Sequence, residues 1–220
     1  MASIATVILK EQDYIETRLC QLTLERQRLI SAGASGMSGR GMAGAMHGKT
    51  SAGQYTFHEC LAGLRAEYIG VNGWELYYDG GLEGIVNNDL NVIVLVKTAD
   101  RCCSDFHRPK TGDFGAKSEK VCEGASLFDH VGVDLPAVVT LPSPRSTNLR
   151  TNRFSVFYLL LDPDGRMELS MPVIEDSKIR GFIERIYLVQ DSDLDPVSVL
   201  PEDAPKDDDL IIDVKRKNGK

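Results

Sequence analysis

Long apolar runs are what this sequence most plainly lacks. The longest are Val92–Val96 and Val156–Leu161, far short of the roughly 18 residues that a membrane-spanning helix needs. The first ten residues carry Ile4, Val7, Ile8 and Leu9 but no basic flank and no small-residue cleavage site, so they do not read as a secretory signal. A cytoplasmic protein with no membrane partner is expected. A disulfide framework is missing too. Cys20, Cys60, Cys102, Cys103 and Cys122 are five in number and irregularly spaced over 220 residues, which excludes a cystine scaffold and favours free thiols. Excess positive charge is also absent, with 25 Lys and Arg against 32 Asp and Glu. Residues 190–220 hold nine acids and five bases, whereas the rest holds 23 acids and 20 bases. A body so nearly balanced has no basic field to attract nucleic acid, which is not favoured as a partner.

What is present is enough for a core. Hydrophobic residues make up 42 % of the chain and charged residues 26 %, so a globular body forms. Residues 8–31 read as a helix, with Ile8, Ile15, Leu19, Leu22 and Leu29 on one narrow stripe and Gly33 as its stop. The stripe has two readings, a face packed on its own domain or a homo-oligomer seam built on Ile15, Leu19 and Leu22. Residues 31–53 hold seven glycines, five alanines and four serines with no acid, and read as a flexible linker. The domain division is therefore a helical segment at 1–32, a linker at 33–53, a globular body at 54–189 and an acidic tail at 190–220.

Within the body, Thr56–Tyr68 reads as a helix and Trp74–Asp79 as a strand ending at Gly80-Gly81. Asn91–Lys97 reads as a strand buried on both faces, and Ala137–Leu141 as a short one. Phe154–Leu161, the turn Asp162-Pro163-Asp164-Gly165 and Arg166–Val173 form a hairpin. Gly181–Val189 completes a meander as a strand, although Ile179, Phe182, Ile183 and Ile186 also fit a helix. The expected fold is α+β, an antiparallel or mixed sheet with flanking helices, a helical N-terminal arm and an acidic C-terminal tail.

Several segments resemble catalytic motifs but lack their setting. Ala43–Thr50 matches a relaxed phosphate-binding loop, in which backbone amides, Lys49 and Thr50 would hold phosphate and magnesium, yet no strand precedes it. Asp162-Pro163-Asp164-Gly165 resembles the first motif of haloacid-dehalogenase-like phosphatases. Only 55 residues follow Gly165, too few for the parallel sheet which that family requires. Cys103, His107, Cys122 and His130, with Cys102 and Asp105 nearby, have zinc-ligand chemistry without a Cys-x-x-Cys pair. Cys103 with His107 has the composition of a nucleophile and base. Glu83, Asp89 and Lys97 resemble a restriction-type nuclease core, except that Leu95 stands where the second acid belongs. Arg145, Arg150 and Arg153 form an acid-free stretch able to hold phosphate or an acidic partner. The tail offers Asp208 and Asp209 to a partner. With no cofactor implied, the expected function is a non-catalytic interaction or accessory protein that self-associates through its first helix and recruits a protein partner through its tail. The alternative is a metal-dependent hydrolase of nucleic acid or a phosphate ester.

Overall fold

The structure, a computed structural model, describes residues 6–122 and 154–194. Its elements run β1 (Val7–Leu9), α1 (Gln12–Gln21), α2 (Arg26–Gly41), α3 (Ser51–Tyr68), β2 (Trp74–Asp79), β3 (Leu82–Asn87), β4 (Val92–Thr98), α4 (Ala116–Cys122), β5 (Ser155–Leu161), β6 (Met167–Glu175) and β7 (Lys178–Val189). The fold is α+β. One mixed seven-stranded sheet has the order β1-β7-β6-β5-β4-β3-β2.

Two antiparallel meanders, β2-β3-β4 and β5-β6-β7, are joined by a parallel pairing of β4 with β5 that runs from Val92↔Ser155 to Thr98↔Leu161. Strand β1 adds in parallel beside β7. Both central strands are apolar along most of their length, because each is covered on both faces. Residues from α1, α2 and α3 cover one face over Val92, Val94, Phe157 and Leu159. Residues 99–115 and α4 cover the other over Ile93, Leu95, Val156 and Leu160.

The strand readings at Trp74–Asp79, Asn91–Lys97 and Phe154–Leu161 agree with β2, β4 and β5 to within a residue at each end. Gly80 and Gly81 have φ of 58° and 87°, the geometry of a two-residue hairpin turn. Residues 178–189 are a strand, not a helix. Strand β3 has no clear signal in the sequence. Its interior Gly84 lowers strand propensity, yet a Cβ there would lie 2.1 Å from the Val94 carbonyl oxygen, so the close approach of β3 to β4 requires glycine.

The N-terminal region differs from expectation in two ways. The 8–31 helix is broken into β1, α1 and the start of α2. Thr23 has φ of 55°, Leu24 N donates to Leu19 O at 2.8 Å and Thr23 N donates to Cys20 O at 3.0 Å. This is a Schellman cap without its usual glycine. Trp74 Nε1 holds the strained Thr23 by donating to both its carbonyl and hydroxyl oxygens at 3.1 Å. The apolar stripe is consumed in the chain's own core, where Ile15, Leu19 and Leu22 are each 1 % exposed.

The second difference is the supposed linker. Residues 33–41 are the C-terminal half of α2, residues 42–50 form the turn, and 51–53 begin α3. Small residues here serve close helix contact. A Cβ on Gly36 would meet Cys60 Cβ at 2.8 Å and Thr56 O at 2.9 Å, and one on Gly63 would meet Ala32 Cα at 3.0 Å. Composition alone cannot separate a flexible run from a helix whose small side chains admit a neighbouring backbone.

Gly36→Ala should therefore cost about 1–3 kcal/mol through overpacking. Gly41→Ala, with nothing within 4 Å of its added Cβ, should stay within about 1 kcal/mol on the stabilising side. Urea unfolding of both variants checks this, and equal, negligible effects would return the segment to a linker.

Candidate functional site

The densest polar cluster lies where residues 99–115 cross the sheet. Asp162 heads the β5–β6 turn with Gly165 at φ of 94°. Its Oδ1 accepts from Asp164 N at 2.9 Å and Arg166 N at 3.1 Å. Its Oδ2 accepts from Cys102 N at 2.8 Å and Arg166 Nε at 2.6 Å. Next along β6, Glu168 is 0 % exposed. It accepts from Cys103 N at 2.7 Å, Ser170 Oγ at 2.8 Å, and Arg185 Nε and Nη2 at 3.0 and 2.6 Å. Arg185 Nη1 donates to Ser104 O at 2.8 Å, and its guanidinium lies over the Phe182 and Tyr187 rings. Tyr187 OH donates to Asp105, which also pairs with Lys10.

Two buried carboxylates accept the backbone amides of Cys102 and Cys103 and so fasten the crossing segment to the sheet. Burial pulls the Arg185 guanidinium down, but Glu168 outweighs it and holds the charge. Burial pushes the Cys103 thiol up, as does Glu168. Its Sγ donates to the Met167 and Val189 carbonyls at 3.0 and 3.2 Å. A protonated, occupied thiol is no nucleophile.

The predicted metal and nucleophile residues are not brought together. His107 Nε2 bonds Asp100 at 3.0 Å rather than Cys103. Burial pushes the Cys122 thiol up to about 12. His130, Arg145, Arg150, Arg153, Asp208 and Asp209 lie outside the described residues, as does Ala137–Leu141. Among the described residues no three His, Cys, Asp or Glu side chains gather as metal ligands.

The nuclease-like set is split by the sheet. Glu83 pairs with Arg65 of α3 at 3.0 Å on the helical face. Lys97 lies on the opposite face, with Nζ 4.2 Å from the Phe114 ring centroid and donating to Asp113 O. Burial pulls the Lys97 ammonium below its usual value, against the opposing pull of Asp113. Asp89 is exposed in the β3–β4 turn. The Ala43–Thr50 stretch does lead into a helix, but it follows α2 rather than a strand.

One feature that sequence reasoning missed is the outer edge of β2. Trp74 N donates to Val71 O at 3.0 Å and Trp74 O accepts from Gly70 N at 3.1 Å. Both Trp74 backbone groups therefore point away from β3. The two-residue turn makes Asp79 and Leu82 a hydrogen-bonded pair, so the bonding groups of Glu75, Tyr77 and Asp79 face β3. Those of Leu76 and Tyr78 face outward. Among the described residues no strand lies on that side. The Leu76 and Tyr78 side chains are 62 % and 72 % exposed on the helical face, beyond the cover that α3 supplies. The alternation Trp74-Leu76-Tyr78 was the available signal, but alternation marks a face and not an edge.

No protein-family model, curated protein or solved structure matches the chain. Among the described residues no helix is long and apolar enough to cross a membrane.

Two outcomes follow from the clamp. Glu168→Ala should cost about 3–5 kcal/mol, since it strands the buried Arg185 charge. Glu83→Ala, which breaks a half-exposed pair, should cost under about 1 kcal/mol. Denaturant titration separates the two, and equal costs would refute the clamp. At Asp100, burial pushes the carboxyl up, but bonds from Lys110 N, His107 and Arg101 N outweigh it and hold it below its ordinary value. Its stabilising contribution is present above the ordinary carboxylate pKa and is lost as pH falls through the lowered one. In an NMR titration the Arg101 and Lys110 amides should move together with a midpoint below that of an ordinary aspartate, and a midpoint at or above it contradicts the assignment.

Proposed function

We propose that this chain is a non-catalytic interaction protein that docks a protein strand on the outer edge of β2. The observation that carries this reading is the coincidence, at Leu76 and Tyr78, of outward backbone groups that have no partner among the described residues with exposed apolar side chains. Strand addition draws affinity from main-chain hydrogen bonds and specificity from alternate side chains, and this edge offers both. Natural sheets blunt their free edges with lysine, proline or bulges. The six residues of β2 contain no lysine or proline, and their pairing with β3 runs without a register shift.

The non-catalytic half of the proposal is supported by the occupation of the reactive groups. Cys103, Glu168, Asp162 and Arg185 are bonded to the fold itself, and Glu83 and Lys97 stand on opposite faces. The acidic stretch with Asp208 and Asp209 adds a second proposed contact, for a basic partner, on the strength of its charge. The Ile15-Leu19-Leu22 stripe is not part of the proposal, because it is buried in the chain's own core.

At high dilution, amide hydrogen exchange should be faster at Leu76 and Tyr78 than at the intervening Tyr77. Protection of both at dilution would mean that the edge is already covered. The purified chain should cleave neither DNA, RNA nor a phosphomonoester with magnesium or manganese. Metal-dependent cleavage that survives repurification and disappears in Lys97→Ala would replace the proposal with the hydrolase alternative.

A further inference from the structure

The β2 edge carries a self-complementary register. We propose that a second copy of this chain occupies it, running antiparallel with Tyr77 on the two-fold axis; the inference rests on reading β2 as a docking edge. In a two-fold antiparallel pair, residues directly opposite each other share a sheet face. Residue numbers of opposed positions therefore sum to one even constant. Outward backbone groups come from Leu76 and Tyr78 alone, because those of Trp74 are taken by Gly70 and Val71.

Placing Leu76 opposite Tyr78 of the second copy, and the reverse, satisfies all four outward N–H and C=O groups of each chain. A shift of two residues one way sets Tyr78 against the spent Trp74. A shift the other way sets Leu76 against Gly80 in the hairpin turn. The backbone thus selects one register.

Side chains agree with it. On the helical face the register forms two Leu76–Tyr78 cross-strand pairs and covers four exposed apolar side chains. On the other face the two half-buried Tyr77 rings meet at the axis. Glu75 falls opposite Asp79 of the second copy, a like-charge pair that would repel. Lys117 Nζ already lies 2.8 Å from Asp79 Oδ2 in each chain and offsets one of the two charges. The contact is isologous, so it closes as a dimer and uses the β2 edge of both copies.

Sedimentation equilibrium of the full chain should give twice 24.2 kDa, with Leu76 and Tyr78 amides gaining protection as concentration rises. Tyr78→Pro removes an N–H that makes no bond among the described residues, so it should keep the fold and lose the dimer. In a Cys20→Ser background, Tyr77→Cys should form a disulfide dimer, since facing residues of a non-hydrogen-bonded pair have Cα atoms about 4.5 Å apart. Glu75→Cys, four residues out of register with its own copy, should not. A monomer whose Leu76 and Tyr78 amides exchange fast overturns the second copy and leaves the docking edge standing. A monomer with those amides protected overturns both. A dimer that survives Tyr78→Pro and is not linked by Tyr77→Cys uses another surface and also overturns the inference.

Discussion

Strands β4 and β5 lie side by side and point the same way, from Val92↔Ser155 to Thr98↔Leu161. An antiparallel neighbour can be reached by a two-residue turn, but a parallel one demands a return journey along the full strand. That requirement organises the molecule. It turns two separate meanders into one sheet, and it sends residues 99–115 and α4 across the face that α1, α2 and α3 leave bare. Ile93, Leu95, Val156 and Leu160 are buried because this crossing segment lies over them.

A crossing segment has its own backbone groups to satisfy, and here buried side chains of the sheet do so. Asp162 and Glu168 accept the amides of Cys102 and Cys103, while Arg185 donates to the Ser104 carbonyl. The pairing of β6 with β7 shifts register between Met167 and Glu168, again at Pro172 and again after Val173. Such bulges re-aim side chains, and the first lies where Glu168 must meet Arg185 from a position opposite Tyr187. On the other face, Arg18 of α1 pairs with the buried Glu184 at 2.8 Å and ties the first helix to the same strand. Internal ion pairs add little net stability but penalise any arrangement that separates them.

Groups that looked chemical in the sequence are bonded within the fold by this route. Asp162 resembles a phosphatase nucleophile because a strand followed by Asp-Pro-Asp-Gly is also how a β-turn with a capping carboxylate is written. Glu83 and Lys97 are close in number but separated by the alternation of adjacent strands. The β2 edge is the reverse case. Leu76 and Tyr78 lie in a segment that reads simply as a strand, and the order of strands leaves them at a margin where, among the described residues, neither a helix nor a strand covers them.

Local chemistry was sufficient for elements whose signals lie within a few residues. The Asp162–Gly165 hairpin, the Gly80-Gly81 turn and the β-branched run of β4 follow from turn geometry and side-chain shape, and they are legible in the sequence. The α+β class followed from the same signals, which left the sheet either antiparallel or mixed; the parallel pairing of β4 with β5 makes it mixed. Tertiary contact decided the rest. Thr23 takes a left-handed conformation without being glycine and is held there by the cap's own backbone bonds and by Trp74, so the break between α1 and α2 has no sequence mark. Gly36 and Gly63 read as flexibility until the α2–α3 approach shows that any larger side chain would collide with the opposing helix. Residues 178–189, ambiguous between helix and strand, became β7 because β6 and β1 offer hydrogen bonds on both sides. A pattern of apolar residues records which side chains leave water, whereas the neighbour that covers them is set by distant parts of the chain.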